Sequence, residues 1–150
     1  MMPEFAKYLQ LDSILLLEGN TKKDAIEEIV AHAATRCTMD EGQIRDAVWK
    51  REKMMTTGVG KGLALPHIRV NGFPSPLVIV GLCNTPIEDY KSLDNQPVNL
   101  IVFLAADEKD QEAYLTLLGS ISSKMKEEGI MEQILACKEN KDNVYEILTK

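Results

Sequence analysis

The sequence is poor in the residues that form disulfides and metal sites. It has three cysteines and two histidines, the cysteines are far apart, and no CxxC pair occurs. Disulfide frameworks use even sets of cysteines, and zinc sites use clusters of cysteine and histidine, so neither is expected here. The cysteine usage predicts a reducing compartment, the cytoplasm.

Long apolar runs and an excess of positive charge are also missing. The longest apolar run, 77–83, is far shorter than the ~20 residues of a membrane-spanning helix, and the N-terminus has no signal-peptide core. A net charge of −6 argues against nucleic acid, because phosphate binding needs a basic face. With 45% hydrophobic and 27% charged residues, the chain has an ordinary globular composition, and its 150 residues predict one domain.

Apolar patterns predict an α/β fold in the order strand, two helices, three strands, three helices. Continuous or alternating apolar runs predict strands at 14–17, 63–70, 77–83 and 98–105. Turns are expected at Thr85-Pro86 and 93–97. Strands with two apolar faces need cover on both sides, so helices are expected on either side of a small mixed sheet.

Helical spacing and capping residues define the predicted helices. Thr21 and Asp40 are good N-caps for helices at about 22–36 and from 41 onward, and three more follow Asp107, with breaks at Gly129 and Asn140. Arg51 falls on the apolar stripe near the C-terminal end of the second helix. A bound anion, a snorkelling stem and a pair with Glu52 or Asp94 all remain open for this arginine.

A loop rich in glycine and threonine follows that helix. Alternating glycines permit positive φ and close approach of a ligand to bare backbone, whose N–H groups can form an anion-binding concavity. A turn with no anion is the alternative. The loop is neither a P-loop nor a dinucleotide fingerprint, because Gly62 follows Lys61 and a helix precedes it. Its residues are Thr56, Thr57, Gly58, Val59, Gly60, Lys61 and Gly62.

His67 follows Pro66 in a predicted strand, at an edge or at the strand's end. Neutral imidazole is a nucleophile near pH 7, so this histidine is a candidate carrier of a phosphoryl group, with a structural histidine as the alternative. His32 lies off the apolar stripe and is expected at the surface.

The segment from Arg51-Glu52 through the loop to Ala64-Leu65-Pro66-His67 resembles the enzyme IIA domains of the fructose/mannitol class. These domains belong to the bacterial phosphoenolpyruvate-dependent phosphotransferase system. They carry a helix-ending Arg-Glu, a Thr-Gly-x-Gly-x-Gly loop and an Ala-x-Pro-His. The likeness continues at Thr85-Pro86-Ile87 and at 94–98 and covers nearly the whole chain. These details, with no fused transport domains, look most like the nitrogen-regulatory branch.

The resemblance implies a three-layer α/β/α sandwich with a mixed sheet. It implies phosphorylation of His67, with Arg51 as the active-site arginine, and a small histidine phosphocarrier protein as donor. An enzyme IIB or a regulated target protein is the implied further partner. No cofactor and no metal are expected. The loop N–H groups, with a hydroxyl of Thr56 or Thr57, are expected to stabilise the phosphoryl charge.

Tyr114 marks a departure from the family pattern. Many members have a second histidine before a leucine at the start of the helix after the last strand, and this chain has Tyr114-Leu115 there. The Tyr114 hydroxyl is therefore a candidate auxiliary group. Three functions stay open: a phosphocarrier, a regulatory protein-binding module, and a component that hands phosphate to a separate sugar permease.

Overall fold

The computed structural model describes residues 2–150 and has a mixed six-stranded sheet with helices on both faces. The strands are β1 (Ile14–Leu17), β2 (Gly58–Gly60), β3 (Leu63–Ala64), β4 (His67–Val70), β5 (Leu77–Ile87) and β6 (Val98–Asp107). The helices are α1 (Lys22–Arg36), α2 (Glu41–Met54), α3 (Gln111–Met125), α4 (Ile130–Ala136) and α5 (Lys141–Thr149). Two short 3-10 helices, Glu4–Tyr8 and Leu11–Ser13, precede β1.

The sheet has the order β1-β5-β6-β3-β2, and β4 pairs with β6 beyond β3. The long central pair, β5 and β6, is antiparallel, whereas β1 runs parallel to β5, and β3 and β4 run parallel to β6. Among the strands of residues 2–150, β4 pairs only with β6 and is therefore an edge strand, one of the two positions that Pro66 predicts. The mixed sheet of the predicted fold class is confirmed.

Alternate residues of β5 and β6 face two separate cores, which explains their continuous apolar sequences. One core lies under α1 and α2 and includes Ile26, Ile29, Ile44, Val48, Ile79, Ile101 and Phe103. The other lies under α3, α4 and α5 and includes Val80, Leu100, Val102, Leu117, Ile121, Ile134 and Leu148. The predicted three-layer arrangement is confirmed, because each face of the sheet has its own helical cover.

Local capping sets the starts of the helices that position the site. The side chain of Thr21 accepts a hydrogen bond from the Asp24 N–H, and that of Asp40 accepts from the N–H groups of Gly42 and Gln43. These bonds satisfy N–H groups that have no partner inside the helix. The predicted caps at Thr21 and Asp40 are confirmed.

Three details of the predicted strands and turns are wrong. The strand expected over 63–70 is divided at Leu65-Pro66 into β3 and β4, because proline has no N–H to continue a ladder. The residues before it form the extra strand β2, which pairs antiparallel with β3. The turn expected at Thr85-Pro86 is instead part of β5, where the register shifts between Leu82 and Ile87 and leaves the proline exposed.

None of the helices in residues 2–150 is long and apolar enough to cross a membrane.

Candidate active site

His67 is the first residue of the edge strand β4, and its side chain is half-buried. Its Nδ1 lies 2.6 Å from the carbonyl oxygen of Leu65. A carbonyl oxygen only accepts hydrogen bonds, so this contact assigns the ring proton to Nδ1. The lone pair is then on Nε2, which is the ring nitrogen able to attack an electrophile.

Burial lowers the pKa of His67 below its ordinary value, because it disfavours the charged imidazolium. The hydrogen bond to Leu65 and the charge of Glu52 act in the opposite direction, and the positive charges of Arg51 and Arg69 lower the pKa further. The net effect keeps the imidazole neutral and nucleophilic around pH 7.

We expect His67 to titrate below 6.5, its reference value, in the folded protein. A lowered pKa means that more than half of the rings are neutral at that pH, so the nucleophile persists into mildly acidic solution. The titration can be followed through the ring proton and nitrogen resonances by NMR, with the His67→Gln spectrum used to assign the signal. A midpoint above 6.5 contradicts this description of the site.

Arg51 lies in the last turn of α2 and its side chain is half-exposed. Its Nη1 donates a hydrogen bond of 2.9 Å to the carbonyl oxygen of Met55, which satisfies one of the free carbonyls at the helix end. In residues 2–150 it forms no ion pair with Glu52 or Asp94, so that sequence alternative is wrong. Its positive charge contributes to the lowered pKa of His67. Burial raises the pKa of Tyr114, and the charge of Arg51 partly offsets that rise.

Glu52, the neighbour of Arg51, is the centre of a buried polar network. Its Oε2 accepts a hydrogen bond of 2.7 Å from the Thr57 hydroxyl, which is also 2.6 Å from the Tyr90 hydroxyl. Lys22 Nζ lies 2.9 Å from Oε1 as an ion pair but without hydrogen-bond geometry, and also 4.6 Å from the centre of the Tyr90 ring. This network connects the end of α2 to the start of the loop and to α1. Sequence reasoning missed it, because its members are far apart in the chain.

The loop before β3 has the left-handed backbone that its glycines predict. Gly60, Lys61 and Gly62 have φ values of 103°, 56° and 82°. At Gly58 the reason for glycine differs, because a Cβ there would lie 2.3 Å from the Lys91 carbonyl oxygen. The close approach at Gly58 is thus made by another segment of the same chain rather than by a ligand.

Several of the predicted phosphate-binding donors are already used inside the protein. The N–H of Lys61 donates to Asp94 Oδ2 at 2.7 Å, and the N–H of Gly58 donates to Thr56 Oγ1 at 3.2 Å. The Thr56 hydroxyl donates to the Lys91 carbonyl, and the Thr57 hydroxyl belongs to the buried network.

A donor that is already paired, in one case with a carboxylate, must exchange its partner before it binds an anion. Phosphate binding by these four residues therefore stays a prediction. It also stays a prediction for Val59, Gly60 and Gly62.

Tyr114 and Arg69 complete the surroundings of His67. The ring centres of His67 and Tyr114 are 5.9 Å apart with the planes tilted by 49°. The guanidinium carbon of Arg69 lies 5.1 Å from the centre of the Tyr114 ring. Sequence reasoning missed Arg69, although its spacing of two residues from His67 on a strand places both on one face. Within residues 2–150, no group of three or more acidic, histidine or cysteine side chains could hold a metal ion.

Comparison with known proteins decides the family. Residues 7–150 match the family described as phosphoenolpyruvate-dependent sugar phosphotransferase system, EIIA 2. The chain belongs to this EIIA family. The resemblance stated from the Arg51 to His67 segment is thereby confirmed.

Relatives of this EIIA chain include both regulatory and sugar-specific proteins. It is 30% identical over 132 residues to the nitrogen regulatory protein of Bradyrhizobium diazoefficiens, covering 88% of this chain and 85% of that protein. It is 29% identical over 137 residues to the fructose-specific EIIABC component of Bacillus subtilis, covering 91% of this chain but only 21% of that longer protein.

The fold of this EIIA chain is also that of a solved relative. The crystal structure of nitrogen regulatory protein IIA-Ntr from Neisseria meningitidis superposes with a TM-score of 0.89 at 26% identity, covering 97% of this chain and 99% of that one. The similarity to nitrogen regulatory proteins agrees with the branch that the sequence predicts.

Proposed function

We propose that this EIIA chain is a phosphocarrier that accepts a phosphoryl group on Nε2 of His67 from a small histidine phosphocarrier protein in the cytoplasm. The observation that carries the proposal is the hydrogen bond from Nδ1 to the Leu65 carbonyl, which directs the lone pair to Nε2. That lone pair attacks the phosphorus, and the P–N bond of the donor's phosphohistidine breaks. Its electron pair returns to the donor's ring nitrogen. No cofactor is needed for this exchange.

The positive charge beside His67 suits the transition state of this step. Phosphoryl transfer passes through a loose transition state with negative charge on three oxygens, so positioning and charge stabilisation supply most of the catalysis. The guanidinium of Arg51 is half-exposed, and its charge already acts on the His67 ring. The remaining N–H donors of Arg51 are assigned to the phosphoryl oxygens in this proposal.

The donor protein needs an apolar surface around His67, and exposed apolar side chains lie near the site. Met54 is the last residue of α2 and Met55 follows it, and Leu115 follows Tyr114 on α3. Leu93 donates its N–H to the Gly58 carbonyl, which brings it beside the exposed Val59. Interface cores are rich in methionine and other large apolar residues. We propose that the phosphocarrier protein docks on these residues.

The proposed function is tested by incubation with phosphoenolpyruvate, enzyme I and the small histidine phosphocarrier protein. The expected result is a mass gain of one phosphoryl group, labile in acid, which peptide mapping assigns to residue 67. A second EIIA protein known to accept phosphate from the same donor serves as the positive control. If that control is labelled and this chain is not, the phosphocarrier function is excluded.

Arg51→Ala is expected to slow phosphoryl uptake by roughly 10²- to 10³-fold, the loss seen when one donor to a developing oxyanion is removed. The fold should persist, because only the bond to the Met55 carbonyl is lost, at a cost of about 1 kcal/mol. Uptake is measured as mass gain with time, and circular dichroism verifies folding. Arg51→Lys, which keeps the charge but not the planar fork, should recover part of the rate. An Arg51→Ala variant that fails to fold instead assigns the arginine a structural role.

The regulatory and sugar-transport alternatives differ in the acceptor. Similarity to nitrogen regulatory proteins supports a regulated target protein, with phosphorylation of His67 as the switch. Similarity to a fructose-specific protein supports an enzyme IIB of a sugar permease as the acceptor. Phosphorylated chain mixed with enzyme IIB should keep its label in the first case and lose it in the second. Binding of a target that differs between the two phosphorylation states supports the regulatory function.

A further inference from the structure

Arg69 is a cation near His67 to which neither the family pattern nor the sequence assigns a function. It lies on β4, its side chain is exposed, and it forms no ion pair with any carboxylate in residues 2–150. Its guanidinium carbon lies 5.1 Å from the centre of the Tyr114 ring. An arginine that stacks on an aromatic face keeps its N–H donors free at the edge of the guanidinium plane.

The geometry of β4 directs Arg69 and His67 to the same side of the sheet. Side chains alternate along a strand, and Ile68, between them, is buried in the core under α1 and α2. His67 and Arg69 therefore face α3, where Tyr114 contacts both of them. Pairing of β4 with β6 over Leu104 to Asp107 holds this spacing of two residues in place.

The positive charge of Arg69 acts on the imidazole of His67. It lowers the pKa of His67, as does that of Arg51, which means that both guanidinium groups oppose a positive charge on the ring. Burial raises the pKa of Tyr114, and the charges of the same two arginines partly offset that rise. Two cations from different elements thus act electrostatically on His67. Arg51 lies at the end of α2, and Arg69 lies on β4. A phosphoryl group on His67 would bring negative charge into this field.

We propose that Arg69 is a second phosphoryl-binding cation and that Tyr114 is the positioning residue that holds it beside His67. This inference rests on the proposed phosphoryl transfer to Nε2 and adds no bond change to that step. Arg69 donates hydrogen bonds to the equatorial oxygens as their charge develops and continues to do so in the phosphohistidine. It therefore speeds uptake and slows hydrolysis of the phosphorylated form.

The inference assigns the ring of Tyr114, and not its hydroxyl, to this task. The ring face contacts Arg69, whereas the hydroxyl makes no hydrogen bond in the part of the chain that the structure describes. Tyr114→Phe should therefore behave like the wild type. Tyr114→Leu, which removes the aromatic face but keeps an apolar side chain, should behave like a variant of Arg69. Equal losses in Tyr114→Phe and Tyr114→Leu contradict the positioning role.

The test compares Arg69→Gln with Arg36→Gln as a matched control. Arg36 pairs with Asp12 beside β1, which is at the opposite edge of the sheet from β4. Arg69→Gln is expected to reduce the uptake rate about tenfold and to shorten the lifetime of the phosphohistidine, as for one lost charge-assisted donor. Arg36→Gln should retain both. The double variant Arg69→Gln/Tyr114→Leu should lose no more than Arg69→Gln alone, because the two residues act as one unit.

Two further measurements separate this inference from its alternatives. Phosphoramidate donates a phosphoryl group to imidazole with release of ammonia, so it tests chemistry without a docked protein. A slower reaction of Arg69→Gln with phosphoramidate supports the inference. A loss confined to the protein donor overturns it in favour of a docking residue. The His67 titration needs no phosphoryl transfer and should move to higher pH in Arg69→Gln.

The outcomes that overturn the inference differ from those that overturn the proposed function. If the wild type is labelled and Arg69→Gln matches it in uptake, lifetime and titration, the second cation is excluded while the phosphocarrier function stands. If the wild type gains no phosphoryl group from either donor, both fail. Arg69→Gln could shift the His67 titration without changing uptake or lifetime. Arg69 would then act on the His67 pKa without binding the phosphoryl group, and this result also overturns the inference.

Discussion

Replacement of His67 by alanine is expected to abolish the gain of an acid-labile phosphoryl group. No other imidazole has the same surroundings, so the loss should be complete rather than a reduction in rate. His67→Gln is expected to give the same result, although its amide retains hydrogen-bonding capacity near the Leu65 carbonyl. Mass spectrometry under acid-free conditions measures the label, and thermal unfolding verifies that both variants fold.

His32→Ala is the matched control, because the sequence has only two histidines. His32 lies on α1, where its Nε2 contacts the carbonyl of Asp12 at the sheet edge far from β4. This variant should take up phosphate at the wild-type rate. Label that persists in His67→Ala, or that disappears in His32→Ala, places the acceptor elsewhere and contradicts the proposed site.

Glu52→Ala is expected to give the largest loss of stability, about 3 kcal/mol in the free energy of unfolding. The Glu52 side chain is 2% exposed, and its removal leaves Lys22, itself only 19% exposed, without its counter-charge. It also leaves the Thr57 hydroxyl without its carboxylate acceptor in a buried site. Loss of one partner of a buried pair costs about 3–5 kcal/mol, and the partial exposure of Lys22 reduces this. Urea unfolding at pH 7 measures the change.

Two further substitutions serve as controls for the stability loss of Glu52→Ala. Glu52→Gln keeps an acceptor for Thr57 and should lose less stability than Glu52→Ala. Glu146→Ala removes a carboxylate that is 63% exposed and paired with Lys150, so it should cost about 0.5 kcal/mol or less. A Glu52→Ala variant that loses no more than Glu146→Ala would show that the buried network contributes little.

The position of Arg51 also depends on the buried network around Glu52. Glu52 joins the last turn of α2 to Thr57 at the start of the loop, and Arg51 is its neighbour in that turn. A folded Glu52→Gln variant with slower phosphoryl uptake therefore indicates misplacement of Arg51. If phosphoryl uptake by this variant falls only as far as its folded fraction falls, the role of Glu52 is purely structural.

The elements of the fold were predictable where the apolar pattern is regular. The strand at 14–17 and the helix at 22–36 have the predicted bounds, and the continuous apolar runs of β5 and β6 correctly indicated a sheet covered on both faces. Prediction from the sequence failed where a strand is defined by pairing with another strand rather than by its own apolar pattern. Gly58–Gly60 has no strand-like composition, and it is a strand because β3 lies beside it.

The candidate site was predictable in its residue types but not in its contacts. His67 and Arg51 were found because an imidazole after a proline and an arginine on an apolar stripe are conspicuous in the sequence. The pairing of the loop donors was not predictable, since a sequence does not show that Asp94 accepts from the Lys61 N–H. Arg69 was overlooked, because its proposed role depends on Tyr114, which lies on a helix after two intervening strands.

By itself, the sequence determined most of the helices and strands and the family, and it identified His67 as the candidate phosphoryl acceptor. These features depend on local periodicity and on residue types at short spacing. Only the tertiary structure decided which ring nitrogen is free, which loop donors are already paired, and that a second guanidinium lies against Tyr114. Those properties depend on atoms brought together from distant parts of the chain, and no local pattern encodes their distances.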